Sequence, residues 1–425
     1  MPFENPGPGP ARIAIIGAGI AGLGAAHALA ERCQVTLFDA EPRLGGHART
    51  VQAGRERKVA VDTGFIVFNQ HTYPNLCALF DTLKAPIKKS DMSFSASIDH
   101  GRIEYGVHDL RTLFAQPANL LRPSFLRMGG DIARFNRIAS TTQADEAASL
   151  GEWLAEHKFG DGFRDNYILP LAGAIWSASP AQMLRFPART LLTFFRNHHL
   201  LSLTDRIEWW TLEGGSQEYV SRLEAALRRR GVAIRLGAQV AGVRRTAPGA
   251  EIVVRGEGPE NFDAVLLACH ADQALAMLAD PSQGEARTLG ALRYSNARVV
   301  LHDDVRQMPR RRACWASWNA LRDSASGESA VTYWMNRLQG LPEGTPLFVT
   351  LNPLQAIPDE HVFDVADFAH PIFDRAAIEA QRALPALQGM RDTYFCGAYT
   401  RYGFHEDGLS SGLNAARLVL ERTAR

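Results

Sequence analysis

The sequence predicts an α/β protein in which a parallel-sheet domain of βαβ type is interrupted by an inserted domain of mixed helical and antiparallel-sheet character. Three observations predict it. Residues 13–26 read I-A-I-I-G-A-G-I-A-G-L-G-A-A, a short apolar run that ends in spaced glycines and passes into an alanine-rich helical pattern. Residues 394–421 show the same strand–loop–helix order at the other extremity. Between them lie a long helical stretch and several alternating segments. A chain of 425 residues exceeds one ordinary core, so two domains are expected, and a hydrophobic share of 46% is ample for burial.

The glycine run has a defined chemistry. In Gly17-x-Gly19-x-x-Gly22, the first glycine allows a tight turn and the second lets backbone approach a pyrophosphate. The third lets the helix sit close to the strand. Ile20 and Ala21 open that helix, whose free N–H groups and positive dipole end face the phosphates. A second apolar strand, Val35-Thr36-Leu37-Phe38, ends at Asp39 and Ala40. A carboxylate there accepts hydrogen bonds from an adenosine ribose and disfavours a 2′-phosphate.

The remaining elements follow in order. Residues 1–72 form the first part of the nucleotide-binding domain. They carry a loop Arg43-Leu44-Gly45-Gly46-His47-Ala48-Arg49 and then Val61-Asp62-Thr63-Gly64-Phe65. Residues 73–212 form a mostly helical first part of the inserted domain. It contains a helix over 73–83, a hairpin over 92–105 turning at Asp99-His100-Gly101, and a helical pattern from 110 to about 201. Within the last, Leu121, Phe125, Met128, Ile132 and Phe135 recur at three- and four-residue steps, with Arg122, Arg127, Arg134 and Arg137 between them. Two readings stay open: a packed helix with a solvated arginine face, or a helix lying on an anionic membrane. Residues 213–275 return to the nucleotide-binding domain, with strands over 232–236, 240–244, 252–255 and 263–268. Residues 276–390 complete the inserted domain, with strands at 298–302, 331–336 and 347–352. Residues 391–425 supply the last strand, a glycine-bearing loop and a helix from about 408 to 421.

Composition removes several classes of function. A net charge of +1 gives no reason to expect nucleic acid as a partner. The five cysteines, with no C-x-x-C pair, read as reduced thiols of a cytoplasmic protein, and no metal site is expected. His198-His199 has no third ligand nearby in sequence, so zinc is not expected there. Residues 1–10 are rich in proline and glycine and do not read as a signal peptide. No run has the length of a transmembrane helix. Peripheral contact at the inner membrane face is the one membrane association that the arginine-bearing helix would support.

At this point the residues resemble a known superfamily. Gly17-x-Gly19-x-x-Gly22, Asp39 and Gly45-Gly46-His47-x-Arg49 are similar to the FAD-dependent amine oxidase and phytoene desaturase superfamily. The segment from Gly397 through Gly403-Phe404-His405-Glu406-Asp407-Gly408-Leu409 to Gly412 resembles its C-terminal flavin-binding segment. The resemblance implies a Rossmann-like FAD-binding domain with an inserted substrate domain. Phrases such as Trp315-Ala316-Ser317-Trp318-Asn319 and Gly403-Phe404-His405-Glu406-Asp407-Gly408 are similar to a bacterial group of predicted NAD/FAD-binding proteins. Members of that group often neighbour enzymes that modify fatty acyl chains.

What the resemblance implies for the site can be stated by residue. FAD would be held by Gly17, Gly19, Ile20, Ala21, Gly22, Asp39, Ala40, Gly45, Gly46, His47, Val240, Gly397, Glu406, Asp407 and Leu409, with Arg43 or Arg49 on a phosphate. Val240 would use its backbone on the adenine. The amine oxidases of the superfamily place a lysine in the substrate domain, and here no lysine follows Lys158. A primary-amine oxidase is thereby disfavoured. Among the acid–base candidates His47, His270, His405 and Glu406, position favours His405 as the catalytic group. Trp176, Trp209, Trp210, Trp315, Trp318, Tyr333 and Trp334 supply aromatic material for a hydrophobic pocket. The expected activity is FAD-dependent hydride removal from a small hydrophobic or lipid substrate, best a fatty acyl chain, with the electron acceptor open. The alternatives are amine oxidation and a flavin-bound, non-catalytic subunit.

Overall fold

The computed structural model describes residues 10–201 and 207–423, so all but Pro10 of the proline-rich opening lies outside the described residues. One parallel five-stranded sheet draws its strands from three distant segments, in the order Ala233–Arg235, Gln34–Phe38, Arg12–Ile16, Ala264–Leu267 and Thr393–Phe395. Central strands of a parallel sheet are covered on both faces, and they read as apolar runs for that reason. Ile13 to Ile15 and Val265 to Leu267 are fully buried. One face is filled by the helices Ile20–Leu29 and His405–Thr423, and the other by the antiparallel strands Val240–Arg245, Ala250–Val254 and Pro259–Phe262.

The two extremities of the chain meet where those two helices cross. The contact needs backbone to approach backbone: a Cβ on Gly412 would lie 2.1 Å from the carbonyl oxygen of Ala21. Only glycine fits there. The C-terminal helix begins at His405, one turn earlier than the sequence pattern indicates.

The inserted domain is built on a seven-stranded sheet. Its order is Val362–Pro371, Tyr294–His302, Phe348–Leu351, Ser329–Trp334, Trp318–Arg322, Phe94–Ile98 and Ile103–Gly106. The pairing is antiparallel except where Trp318–Arg322 runs parallel to Phe94–Ile98. The hairpin turns at Asp99, His100 and Gly101, all with positive φ. The strand expected over 331–336 instead spans Ser329–Trp334 and passes into a helical turn, Met335–Leu338. Helices between Leu110 and Asn197 pack on this sheet through a single apolar core.

The arginine-bearing helix, Pro123–Thr141, packs through one face. Phe125, Met128, Phe135 and Ala139 face inward and are buried. Arg134 is spent on Asp131, on the carbonyls of His157 and Lys158, and on the face of Phe159. Leu121 does not belong to the buried stripe. It ends a 3-10 turn, Pro117–Leu121, and is 87% exposed. All five cysteines are free, and among the described residues no helix is long and apolar enough to cross a membrane.

Candidate active site

A cavity of about 1550 Å³ runs between the two domains. It exceeds the roughly 300–1,000 Å³ usual for a small-ligand site, so it has room for a large cofactor and a second molecule. One end is walled by the elements of the parallel-sheet domain, the other by the seven-stranded sheet and its helices.

At the first end the turn after Arg12–Ile16 is fixed by Gly17, at φ +110°, where a Cβ would fall 2.6 Å from the carbonyl oxygen of Ala268. Gly19 caps the helix Ile20–Leu29 without a side chain, and a Cβ there would meet no protein atom within 4 Å, standing instead in the open space before the helix. The first-turn N–H groups of a helix have no partner within it, and Gly19, Ile20 and Ala21 all line the cavity. Gly22 does not line it; its role is packing, since a Cβ would lie 1.8 Å from the oxygen of Gly17.

Asp39 and Ala40 also line this end. One Asp39 oxygen accepts from Ala18 N at 2.6 Å and the other from Glu41 N at 2.8 Å. Burial raises its carboxyl above the usual value, and those two N–H groups oppose the shift. Gly45 and Gly46 run beside Gly19, with Gly45 N donating to Ala18 O at 2.9 Å, and Val240 and Gly397 complete this wall.

The two arginines expected on phosphate are already engaged. Arg43 donates to the carbonyls of its own loop, to Gly46 at 2.9 Å and Ala48 at 3.3 Å. Arg49 makes a two-pronged ion pair with Asp364 at 2.6 and 3.0 Å and also donates to Thr63. Both reach the cavity wall, but their donors serve the loop and its attachment to the strand Val362–Pro371.

The C-terminal segment behaves unevenly. His405 lines the cavity, stacks on Phe65 at 3.9 Å, and shares a 2.7 Å hydrogen bond through Nε2 with the Tyr219 hydroxyl. Burial pulls its imidazole down to about 3, so the ring is neutral. Glu406, Asp407 and Leu409, expected to touch cofactor, are absent from the wall. Glu406 accepts from Asn75 N and Nδ2 and from Leu76 N, capping the helix Pro74–Leu83. Asp407 accepts from Phe404 N at 3.0 Å. Leu409 is buried and would collide with a Cβ on Gly24. The physical reason is helical geometry: consecutive residues point about 100° apart, so one segment cannot turn all its side chains to one ligand.

The chain matches the family model described as flavin containing amine oxidoreductase over residues 20–312. It belongs to that family. No curated protein sequence matches it significantly. Among solved structures it is similar to cyclohexylamine oxidase from Brevibacterium oxydans IH-35A, with TM-score 0.71, 15% identity and coverage of 98% of this chain and 100% of that one. It is also similar to a single mutant of putrescine oxidase from a redesign of cofactor binding, with TM-score 0.70, 16% identity and coverage of 97% and 99%. A third is the CLA-producing fatty acid isomerase from P. acnes, with TM-score 0.66, 14% identity and coverage of 97% and 98%. At these identities the likeness is one of fold.

The protein is therefore a flavin-dependent oxidoreductase, and its cofactor is FAD. The residues fit that group. The uncovered helix end at Gly19, Asp39 on the adjoining wall and the small-residue wall at Gly45-Gly46 would suit a dinucleotide. Further along, two buried polar atoms of the cavity residues have no partner among the described residues: Nδ1 of His370 and the Tyr399 hydroxyl. Orphaned groups of that kind need a ligand or water.

Three histidines gather near them. His47 lies 5.8 Å from His270 and 5.6 Å from His370, ring to ring, and stacks on Phe368. Burial is the main cause that lowers all three, His47 to about 3 and His370 to about 4. His270 stacks on Tyr294 at 4.3 Å, whose hydroxyl accepts from Ala271 N. His370 and Tyr219 carry no motif that marks them in the sequence, whereas Tyr399, Tyr294 and Phe65 fall in segments that the resemblance covers without giving them a role. His370 lies in the strand Val362–Pro371, whose broken alternation gave no signal for it.

The second end is apolar. Phe94, Tyr167, Leu171, Ile175, Trp176, Phe194, Trp318, Tyr333 and Leu351 line it. Trp315 and Trp334, two of the aromatics expected there, pack against each other and do not line it. Asn136 Oδ1 and Trp318 Nε1 are buried there without partners among the described residues. Asp91 is occupied by Ser93, Ser317 and Arg337, and Glu208 by Lys89. His198 is held by Phe194 O and Thr72 Oγ1. Among the described residues no cluster of His, Cys, Asp and Glu could hold a metal.

Proposed function

We propose that this flavoenzyme removes hydride from a hydrophobic substrate, with a fatty acyl chain as the class that fits best. The observation that carries this reading is the apolar end of the cavity, where Asp91 and Glu208 are already paired. An ammonium substrate would find neither of those two free, and Asp367, which the strand Val362–Pro371 also brings to the cavity wall, is exposed. Lys89, the lysine in the lining, is itself paired to Glu208, and no lysine follows Lys158. The likeness to a fatty acid isomerase supports the acyl reading, and the likeness to two amine oxidases supports its rival.

FAD, when bound, supplies the hydride acceptor. The chain's own residues do the rest. Gly19, Ile20 and Ala21 present N–H groups to the phosphates, and Asp39 meets the ribose. Aromatic and aliphatic walls orient the substrate and exclude water. Asn136 and Trp318 offer an acceptor and a donor for a polar head group. His405 stays neutral and fixes Phe65 against Tyr219. Its low proton affinity suits positioning better than proton abstraction near neutral pH.

The test is anaerobic mixing of the holoprotein with fatty acids and acyl esters on one side and a panel of amines on the other. Loss of the flavin's visible absorbance with acyl substrates is the expected result. Bleaching by amines alone, with peroxide released on admitting air, would establish the amine reading. Silence with every reductant substrate would point to a non-catalytic flavoprotein.

A further inference from the structure

Four of the seven exposed large hydrophobic side chains among the described residues fall in one short stretch: Leu110, Leu120, Leu121 and Leu126, from 51% to 87% exposed. The stretch comprises the short helix Leu110–Leu113, the turn Pro117–Leu121 and the start of Pro123–Thr141. These are not residues that failed to find a core. Phe125 and Met128 of the same stretch are buried, and Leu113 and Phe114 pack against the core. The shoulder therefore satisfies its own packing and still turns a surplus of leucine outward. Contiguous exposed apolar surface of that kind marks an interaction site.

Its charge is one-sided. From Leu110 to Gly130 there are three arginines, Arg111, Arg122 and Arg127, and no acidic residue, in a chain whose 46 basic and 45 acidic side chains otherwise balance. Arg122 donates to Arg102 O and Asn119 Oδ1, which are uncharged. Among the described residues Arg111 and Arg127 are exposed and make no ion pair. Asp109, just before the stretch, feels the charge of Arg111 without pairing to it, and leucines interleaved with arginines that make no ion pair suit a surface that offers both hydrocarbon and negative charge. A second copy of this chain fits poorly, because a two-fold interface would set the same arginines against each other.

The shoulder adjoins the cavity. Val107 and His108, just before Leu110, line the cavity, as does Asn136 on the helix that follows, and His108 is exposed. The cavity thus reaches the surface beside the leucines. We propose that Leu110, Leu120, Leu121 and Leu126, with Arg111 and Arg127, dock this protein on an anionic lipid bilayer with the cavity mouth at the membrane. This goes beyond the reaction proposed above and stands whether the substrate is an acyl chain or an amine.

The holoprotein is sedimented with phosphatidylcholine vesicles, with and without phosphatidylglycerol. Pelleting on the anionic vesicles at low salt, with release at high salt, is expected. Leu120→Ser combined with Leu121→Glu should lower the vesicle partition by about tenfold or more. Arg111→Glu and Arg127→Glu should each lower it on the order of fivefold and flatten the salt dependence. All four positions are exposed, so flavin content and melting temperature should match the parent. Recovery of the parent protein in the supernatant with anionic vesicles at low salt would overturn the proposal. So would unchanged pelleting of both sets of variants, or a dimer that Leu121→Glu converts to monomer in analytical ultracentrifugation.

Discussion

Replacing Glu406 separates a cofactor contact from a structural clamp. Its carboxylate accepts from Asn75 N at 3.0 Å, Asn75 Nδ2 at 2.7 Å and Leu76 N at 2.9 Å, at the start of Pro74–Leu83. Glu406 is 7% exposed and Leu76 fully buried, so water cannot replace these bonds freely. Glu406→Ala leaves two backbone N–H groups without a partner, at about 1–3 kcal/mol each. It also removes a charge from a helix N-terminus, worth about 0.3–1 kcal/mol. The expected loss is about 3–5 kcal/mol. Glu406→Gln keeps one acceptor oxygen and should lose about 1–2 kcal/mol. The assay is thermal unfolding of the holoprotein, followed both by far-ultraviolet dichroism and by the flavin's visible spectrum. Melting should fall in the order parent, Gln, Ala, while the spectrum of the folded Gln variant keeps its band positions. A Gln variant with unchanged melting and a displaced flavin spectrum would refute the clamp and return Glu406 to the cofactor.

Gly412→Ala places a methyl 2.1 Å from the Ala21 carbonyl oxygen and must part the two terminal helices; the purified variant should carry far less FAD than the parent, read as the ratio of visible to ultraviolet absorbance. Burial raises Asp407 from 3.8 to about 6. The native state thus binds the proton more tightly than the unfolded chain, so stability is highest below about pH 4 for this group and is lost as pH rises through about 6. Asp407→Asn should flatten melting temperature against pH across that window, and an unchanged slope would show that Asp407 does not titrate there. His405→Phe keeps a ring on Phe65 but strands the Tyr219 hydroxyl, at about 1–3 kcal/mol of stability. If His405 only positions, the rate of flavin reduction keeps its pH profile; loss of one limb of that profile would make it a proton-transfer group.

What the sequence discloses depends on how local the cause is. Gly17, Gly19 and Gly22 are legible because a turn and a helix start are decided within a few residues, and the parallel strand Arg12–Ile16 follows from its apolar run. The strand Val362–Pro371 is not legible. It lies at the edge of its sheet, most of its residues are half-buried, and its polar members Asp364 and His370 break the alternation. The amphipathic period of Pro123–Thr141 was readable, yet Leu121 fell on the wrong side of it because the 3-10 turn before Pro123 resets the phase. Glu406 shows a third limit. Its place in the C-terminal segment was visible, but its partners Asn75 and Leu76 are more than 300 residues away, and no pattern in one sequence joins them.

The arginines carry the more general lesson about how this family member treats a charged cofactor. Arg43 and Arg49 flank the glycine pair, where a phosphate contact is the natural reading, yet one ties the loop to itself and the other ties it to Asp364 of the inserted sheet. Neutralising a pyrophosphate would then fall to backbone: the first-turn N–H groups of the helix Ile20–Leu29 and the dipole behind them. Such donors have no rotamers to order when ligand arrives, so their cost is met when the protein folds. The arrangement also couples the domains. The loop that adjoins Gly19 is pinned through Arg49 to the strand that carries His370, so a shift of the inserted sheet is felt at the cofactor cradle. Arg55 on Asp303 and the buried exchange of hydrogen bonds between Asp62 and Gln339 tie the same segment to the inserted domain, so several contacts hold the substrate end and the cofactor end of the cavity in register.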